Sequence, residues 1–125
     1  MRLRPEQHLR RQSDIRAPRE RGTRTDCQVF TLWHLRRDLS PAVSAASEAL
    51  PRLCVVASGA AVGGAILRNR AKRRIREVFR RHQDLLPRNS DVVIVARSAV
   101  NRRPFAELER KFIDACRRVA EVRNP

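Results

Sequence analysis

The chain has 125 residues, 42% of them apolar, with 28 basic and 13 acidic residues giving a formal charge of +15. This length supports one domain with a modest core, and such a charge is costly unless a polyanion supplies counter-charge. No apolar run approaches the roughly 20 residues that span a membrane, and the first twenty residues lack an apolar signal region. The three cysteines, Cys27, Cys54 and Cys116, lack the close pairing of zinc sites and read as reduced, mostly buried thiols.

Residues 1–22 read as a basic N-terminal segment with a short helix. Ser13 or Asp14 would cap it, Ile15 would lie on it, and Pro18 fits only near its first turn. Residues 23–122 read as a single α+β domain. Cys27 to Leu35 alternates with both sets of positions partly apolar, which predicts a strand covered on both faces. Residues 38–51, rich in Ala and Ser between Pro41 and Pro51, read as a long loop with room for one helical turn. Leu53 to Ala57 is a second predicted strand, and Ser58 to Gly64 a flexible turn. A basic helix follows over roughly 64–83, ended by Pro87 to Ser90. The β-branched run Asp91 to Arg97 predicts a central strand, and Phe105, Leu108, Phe112, Ala115, Cys116 and Val119 mark a final amphipathic helix, with Pro104 in its first turn.

The basic helix carries the most information. Between Arg68 and Arg81 eight of fourteen residues are basic and one is acidic. At 100° per residue, Leu67, Ala71, Ile75, Val78, Phe79 and His82 share one side, while Asn69, Arg73, Arg76 and Arg80 cluster opposite. A merely solvated helix mixes charge signs to limit self-repulsion, so this face is offered to something anionic. Only Lys72 and Lys111 are lysines, and arginine's planar fork suits phosphate. Five aromatic residues are too few for a binder built wholly on base stacking. The expected backbone contacts are Arg68, Arg70, Lys72, Arg73, Arg76 and Arg80, with Asn69 donating to phosphate or accepting from a metal-bound water.

A protein catalyst needs convergent groups such as paired carboxylates or a Cys–His pair. His8, His34 and His82 fall in three separate segments, His82 at the edge of the core face. Asp91 is placed to cap or end its strand, and Glu77 to pair with Arg73 or Arg81, four residues away on either side. No protein-based catalytic centre or metal site is expected. A ribosomal or other structural RNA-binding protein shares this charge and size, a self-sufficient nuclease lacks its cluster, and a membrane-surface helix would not run directly into a core strand.

The run Arg68-Asn69-Arg70, Lys72-Arg73, Arg76-Glu77, Phe79-Arg80 resembles the signature of the bacterial ribonuclease P protein component. Val55 to Gly59, Val62-Gly63 and Ala65-Ile66 before it and Asp91 to Arg97 after it agree in order and spacing. The resemblance is strong from Leu53 to Val119 and looser before residue 50. It implies a small two-layer α/β sandwich, like the second domain of a small-subunit ribosomal protein, in the cytoplasm. It implies as partners a catalytic ribonuclease P RNA and precursor tRNA, with no membrane and no obligate protein partner. The RNA would remove the 5′ leader hydrolytically with divalent magnesium held through the RNA, and a cleft between the first helix and the sheet would hold the leader. Ile15, Phe30 and Trp33 are then the leader-binding candidates. Ala60, Ala61 and Gly64 stand where the family usually carries lysines, Ile15 where an aromatic is common, and Pro18 and Arg19 at usually apolar positions.

Overall fold

The apolar patterning resolves into one four-stranded sheet with helices on both faces, in a computed structural model that describes Leu3, residues 7–37 and residues 50–123. The elements in order are α1 (Gln12–Arg21), β1 (Thr23–Asp26), β2 (Phe30–Arg36), β3 (Arg52–Val56), α2 (Gly59–Val62), α3 (Ala65–His82), β4 (Ser90–Ala96), α4 (Ala99–Arg102) and α5 (Phe105–Arg123), with a 3₁₀ turn at Gln83–Leu85. The strand order is β1-β2-β4-β3. β4 pairs antiparallel with β2 and parallel with β3, so β3–α3–β4 forms a crossover unit around the basic helix. This mixed α+β sandwich agrees with the fold expected from the sequence. The loop expected over 38–51 lies largely outside the described residues.

Alternation along the strands separates two layers. Phe30 and Leu32 of β2, Leu53 and Val55 of β3, and Val92, Ile94 and Ala96 of β4 face the main core. Ala71, Ile75, Val78 and Phe79 of α3 and Leu108, Phe112, Ala115, Cys116 and Val119 of α5 fill the same core. The Phe79 and Phe112 rings meet edge-on, with centroids 6.1 Å apart. The other face carries Trp33, Cys54, Val93 and Val95, with α1 packed over β2 and β4.

Four local readings are corrected. First, the strand expected over Cys27 to Leu35 starts only at Phe30: Cys27 to Val29 form the turn of a hairpin between β1 and β2, with Gln28 at φ 70°. The Asp26 carboxylate accepts the Gln28 N–H at 2.8 Å and so holds that turn. β1 is a short edge strand of Thr, Arg, Thr and Asp, so it lacks the apolar alternation that signals a strand. Second, Pro18 sits in the interior of α1, and the cap position belongs to Arg11 rather than Ser13 or Asp14. Proline removes the N–H that would reach the Asp14 carbonyl, yet burial of its ring against the sheet holds the helix together. Third, the 58–64 turn contains α2, capped by Ser58, whose Oγ accepts the Ala61 N–H at 3.1 Å. Fourth, Asp91 does not cap β4: it is the strand's second residue and a buried ion-pair centre.

Two glycines are dictated by geometry. A Cβ at Gly22 would lie 2.2 Å from the His34 carbonyl oxygen and 2.5 Å from that of Pro18, so only glycine lets α1 turn into β1 here. Gly63, at φ 122°, makes the turn between α2 and α3 in a region that side chains avoid.

Candidate nucleic-acid interface

Helix α3 presents its arginines in two groups. Arg74 donates through Nε to the Val100 carbonyl at 3.0 Å and also reaches the Arg103 carbonyl. Arg80 grips both oxygens of Glu77, at 2.9 and 2.6 Å, and Arg81 adds a third contact to the same carboxylate at 2.9 Å. Arg81 also lies over the Phe105 ring. Glu77 therefore pairs with Arg80 and Arg81, and not with Arg73. The residue three positions on can offer its guanidinium fork to both oxygens, whereas Arg73 turns outward. Hydrogen bonds from Arg80 first, and Arg81 second, hold the Glu77 carboxyl down to about 2, so it stays ionised.

Arg68, Asn69, Arg70, Lys72, Arg73 and Arg76 form the second group. Their side chains have no hydrogen-bond or ion-pair partner among the described residues. Asn69, Arg70, Arg73 and Arg76 are exposed, and Arg68 and Lys72 half-buried. Asn69, Arg73, Arg76 and Arg80 line an open groove of about 800 Å³ together with His8, Arg74, Glu77, Phe105 and Leu3. The structure thus brings four of the seven predicted contact residues into one groove, with Arg68, Arg70 and Lys72 on its flanking helix surface. The His8 wall was not legible in sequence, because the pairing of its segment with β3 joins residues 45 positions apart and leaves no local pattern.

At its N-terminal end α3 begins at Gly64 with no side-chain cap and no acidic residue in its first turn. Ile66 is 85% exposed there and Leu67 43%, beside the exposed Ala60 and Ala61. Leu67 was expected on the core side. It lies in the first turn of α3, close against Gly63, and stays partly exposed.

The second predicted site is the face beneath α1. Ile15 is half-buried on that helix. Trp33, half-buried, lies on that face, with the Arg19 guanidinium 6.0 Å from its ring centroid and that of Arg24 at 5.9 Å. Arg24 is the cross-strand neighbour of Trp33, a pairing visible only once the hairpin is known. Phe30, the other aromatic candidate, is 1% exposed within the main core, so it has no surface to offer a base. The two side chains leave opposite faces of one strand, Phe30 into the main core and Trp33 beneath α1.

The floor of this cleft is held electrostatically. Asp91, its side chain 5% exposed, accepts from Arg52 at 2.8 Å on each oxygen and is also bound by Arg37. Arg52 further approaches Asp14 of α1 at 3.8 Å, linking helix to sheet. The remaining titratable groups give no catalytic cluster. His34 shares a hydrogen bond with Ser90 and His82 with Glu109. Burial pushes the Cys27 thiol up to about 11 and that of Cys116 up to about 12, so both stay protonated and inert. Among the described residues no three His, Cys, Asp or Glu side chains come together to hold a metal, and no helix is long and apolar enough to cross a membrane.

Comparison with known proteins identifies the family. Residues 3–120 match the Ribonuclease P family. The chain is 32% identical over 114 residues to a ribonuclease P protein component of Streptomyces avermitilis, covering 91% of this chain and 92% of that one. It is 31% identical to the component of Desulfovibrio desulfuricans, covering 90% of this chain and 82% of that one. The fold is shared with the ribonuclease P protein of Thermotoga maritima, at a TM-score of 0.72 and 23% identity over 90% of this chain and 96% of that one. It is shared as well with the Staphylococcus aureus protein, at 0.68 and 18% over 94% and 95%. The chain belongs to the ribonuclease P protein family.

Proposed function

We propose that this chain is the RNA-binding protein subunit of a bacterial ribonuclease P, working in the cytoplasm on precursor tRNA, and that the catalyst is its RNA partner. The observation that supports this reading is the division of the α3 arginines. Arg74, Arg80 and Arg81 are engaged inside the protein, while Arg68, Arg70, Lys72, Arg73 and Arg76 are left to meet an external polyanion. Each phosphate they neutralise releases condensed counterions, so affinity falls with salt with a slope near −0.7 to −0.9 per contact. Recognition is of shape and backbone, since A-form grooves admit little side-chain reading.

In this reading the precursor's single-stranded leader lies in the cleft beneath α1, with Trp33 beneath it and Arg19 and Arg24 at the rim. Magnesium supplies charge neutralisation and an activated water when held by the RNA. The protein's part is to lower the electrostatic cost of bringing two RNAs together. Glu77 and Asp91, the carboxylates nearest the two surfaces, are each engaged by two arginines and so leave the RNA's own oxygens as the metal ligands.

The test is reconstitution with the cognate ribonuclease P RNA and a precursor tRNA. The protein alone leaves the precursor intact, and at low magnesium it stimulates cleavage by the RNA. Metal-dependent cleavage by RNA-free protein would overturn the assignment of catalysis. Tight binding to ribosomal RNA with no such stimulation would favour a structural role.

A further inference from the structure

His8 is the one groove-lining residue whose charge can change near neutral pH, and it is carried by a segment the sheet holds in place. The Leu9 N–H donates to the Leu53 carbonyl at 3.0 Å, residue 8 bridges to residue 53, and the Gln7 amide donates to the Pro51 carbonyl at 3.1 Å. The imidazole stands half-buried across the groove from Asn69, Arg73, Arg76 and Arg80. Among the described residues its ring nitrogens have no hydrogen-bond partner.

Among the described residues the charges around it are nearly all positive: Arg10 on its own segment, and Arg73, Arg74, Arg76 and Arg80 on α3. Among the described residues that line the groove, the one carboxylate is Glu77, and it is already taken by Arg80 and Arg81. The nearby Cys54 thiol of β3 is raised by burial, against the opposing fields of Lys72 and Arg76. Burial first, then Arg76 and Arg10, hold the His8 imidazole below its ordinary 6.5 in the free protein. An anion seated among the same groups reverses the sign of that environment.

We propose that His8 is a phosphate-contacting residue of the RNA interface, neutral in the free protein and protonated when an RNA phosphodiester occupies the groove between it and Arg73 and Arg76. The inference rests on the reading of α3 as an RNA-binding face and adds to it a second wall and a proton. Because the complex holds the imidazole's proton more tightly than the free protein does, binding takes up a proton. The extra affinity is complete below the free protein's own titration. It is lost as pH rises through the higher titration of the complex.

The experiment measures binding of the full chain to ribonuclease P RNA between about pH 5.5 and 8, the range in which histidine titrates, at fixed salt and magnesium. The variants are His8→Gln and His8→Arg, each checked for folding by circular dichroism. Proton uptake is read by calorimetry in two buffers of different ionisation enthalpy. If the phosphate raises the imidazole by about one unit, the unmodified chain binds about tenfold more tightly at the acid end. His8→Gln should match it at the alkaline end and lose both the pH dependence and the proton uptake. His8→Arg should bind tightly throughout with no pH dependence. If His8→Gln keeps the full pH profile and proton uptake, the inference fails while the RNA-binding reading stands. If no variant binds the RNA, both fail together.

Discussion

The outer face of α3 and the cleft beneath α1 are both rich in arginine, yet they hold it in different ways. On α3 the backbone of α4, Glu77 and Phe105 engage Arg74, Arg80 and Arg81, and the helix still leaves five cations with no internal partner among the described residues. Beneath α1 the two arginines nearest the site already lie by the Trp33 ring, and Arg52 and Arg37 are committed to Asp91. The first surface can gain several charge contacts from a polyanion without rearranging. The second offers one ring and two guanidiniums that must share it. Charge density is therefore a poor guide on its own, and the useful question is which cations the fold leaves unengaged.

The largest expected effects break the core that separates the two surfaces. Ile75→Asp puts a carboxylate on a residue 2% exposed between α3 and the sheet, and Phe30→Ala empties a ring position 1% exposed. Each should cost about 3–5 kcal/mol in chemical denaturation. A Phe30→Ala variant with unchanged stability and impaired leader binding would restore that residue to the cleft.

Next comes Asp91→Asn. Neutralising this carboxylate leaves Arg37 and Arg52 part-buried without their counter-charge and should cost about 3 kcal/mol. Because Arg52 also approaches Asp14, the loss should loosen α1 first, visible as faster amide exchange in α1 than in α3. Equal loosening of both helices would mean that the network supports the whole sheet and not the cleft.

These contrasts follow how legible each region is in sequence. α3, β4 and α5 read correctly because their apolar spacing alone sets their burial: Ala71, Ile75, Val78 and Phe79 recur at helical spacing, and β4 is a β-branched run buried on both faces. β1 was invisible because an edge strand of Thr23 to Asp26 is held by backbone pairing, which leaves no side-chain pattern. Pro18 misled because its burial against the sheet, a tertiary effect, outweighs a local rule about helices. The exposed basic face of α3 was readable for the same reason as the helix itself. His8, Arg19 and Arg24 were not, since strand pairing and helix packing bring them to their sites from distant positions.

Trp33→Ala sharpens the comparison from the cleft side. The ring is half-buried, and removing it should leave the fold intact while weakening discrimination of precursor over mature tRNA by about 1–3 kcal/mol, the worth of one stacked base. It is the chain's sole tryptophan, so its fluorescence reports leader binding directly in the unmodified protein. Unchanged fluorescence on adding a leader-bearing tRNA would remove Trp33 from the site.

The smallest effects come from neighbouring arginines on α3 and test the division within one helix. Arg74→Ala deletes donors to the Val100 and Arg103 carbonyls and should lower stability by about 1 kcal/mol. Its effect on RNA affinity should be slight, because that guanidinium is already engaged. Arg73→Ala removes a side chain with no internal partner among the described residues, so stability should stay within about 0.5 kcal/mol. What Arg73→Ala should change is the salt dependence of RNA binding, whose logarithmic slope should fall by about 0.7–0.9, one phosphate contact. Measuring both variants by thermal denaturation and by titration at several salt concentrations separates the two roles. If both lose stability and slope to the same degree, α3 carries its arginines as one undivided surface. A loss of slope confined to Arg73→Ala would show that the RNA meets the cation the fold leaves unengaged and not its engaged neighbour.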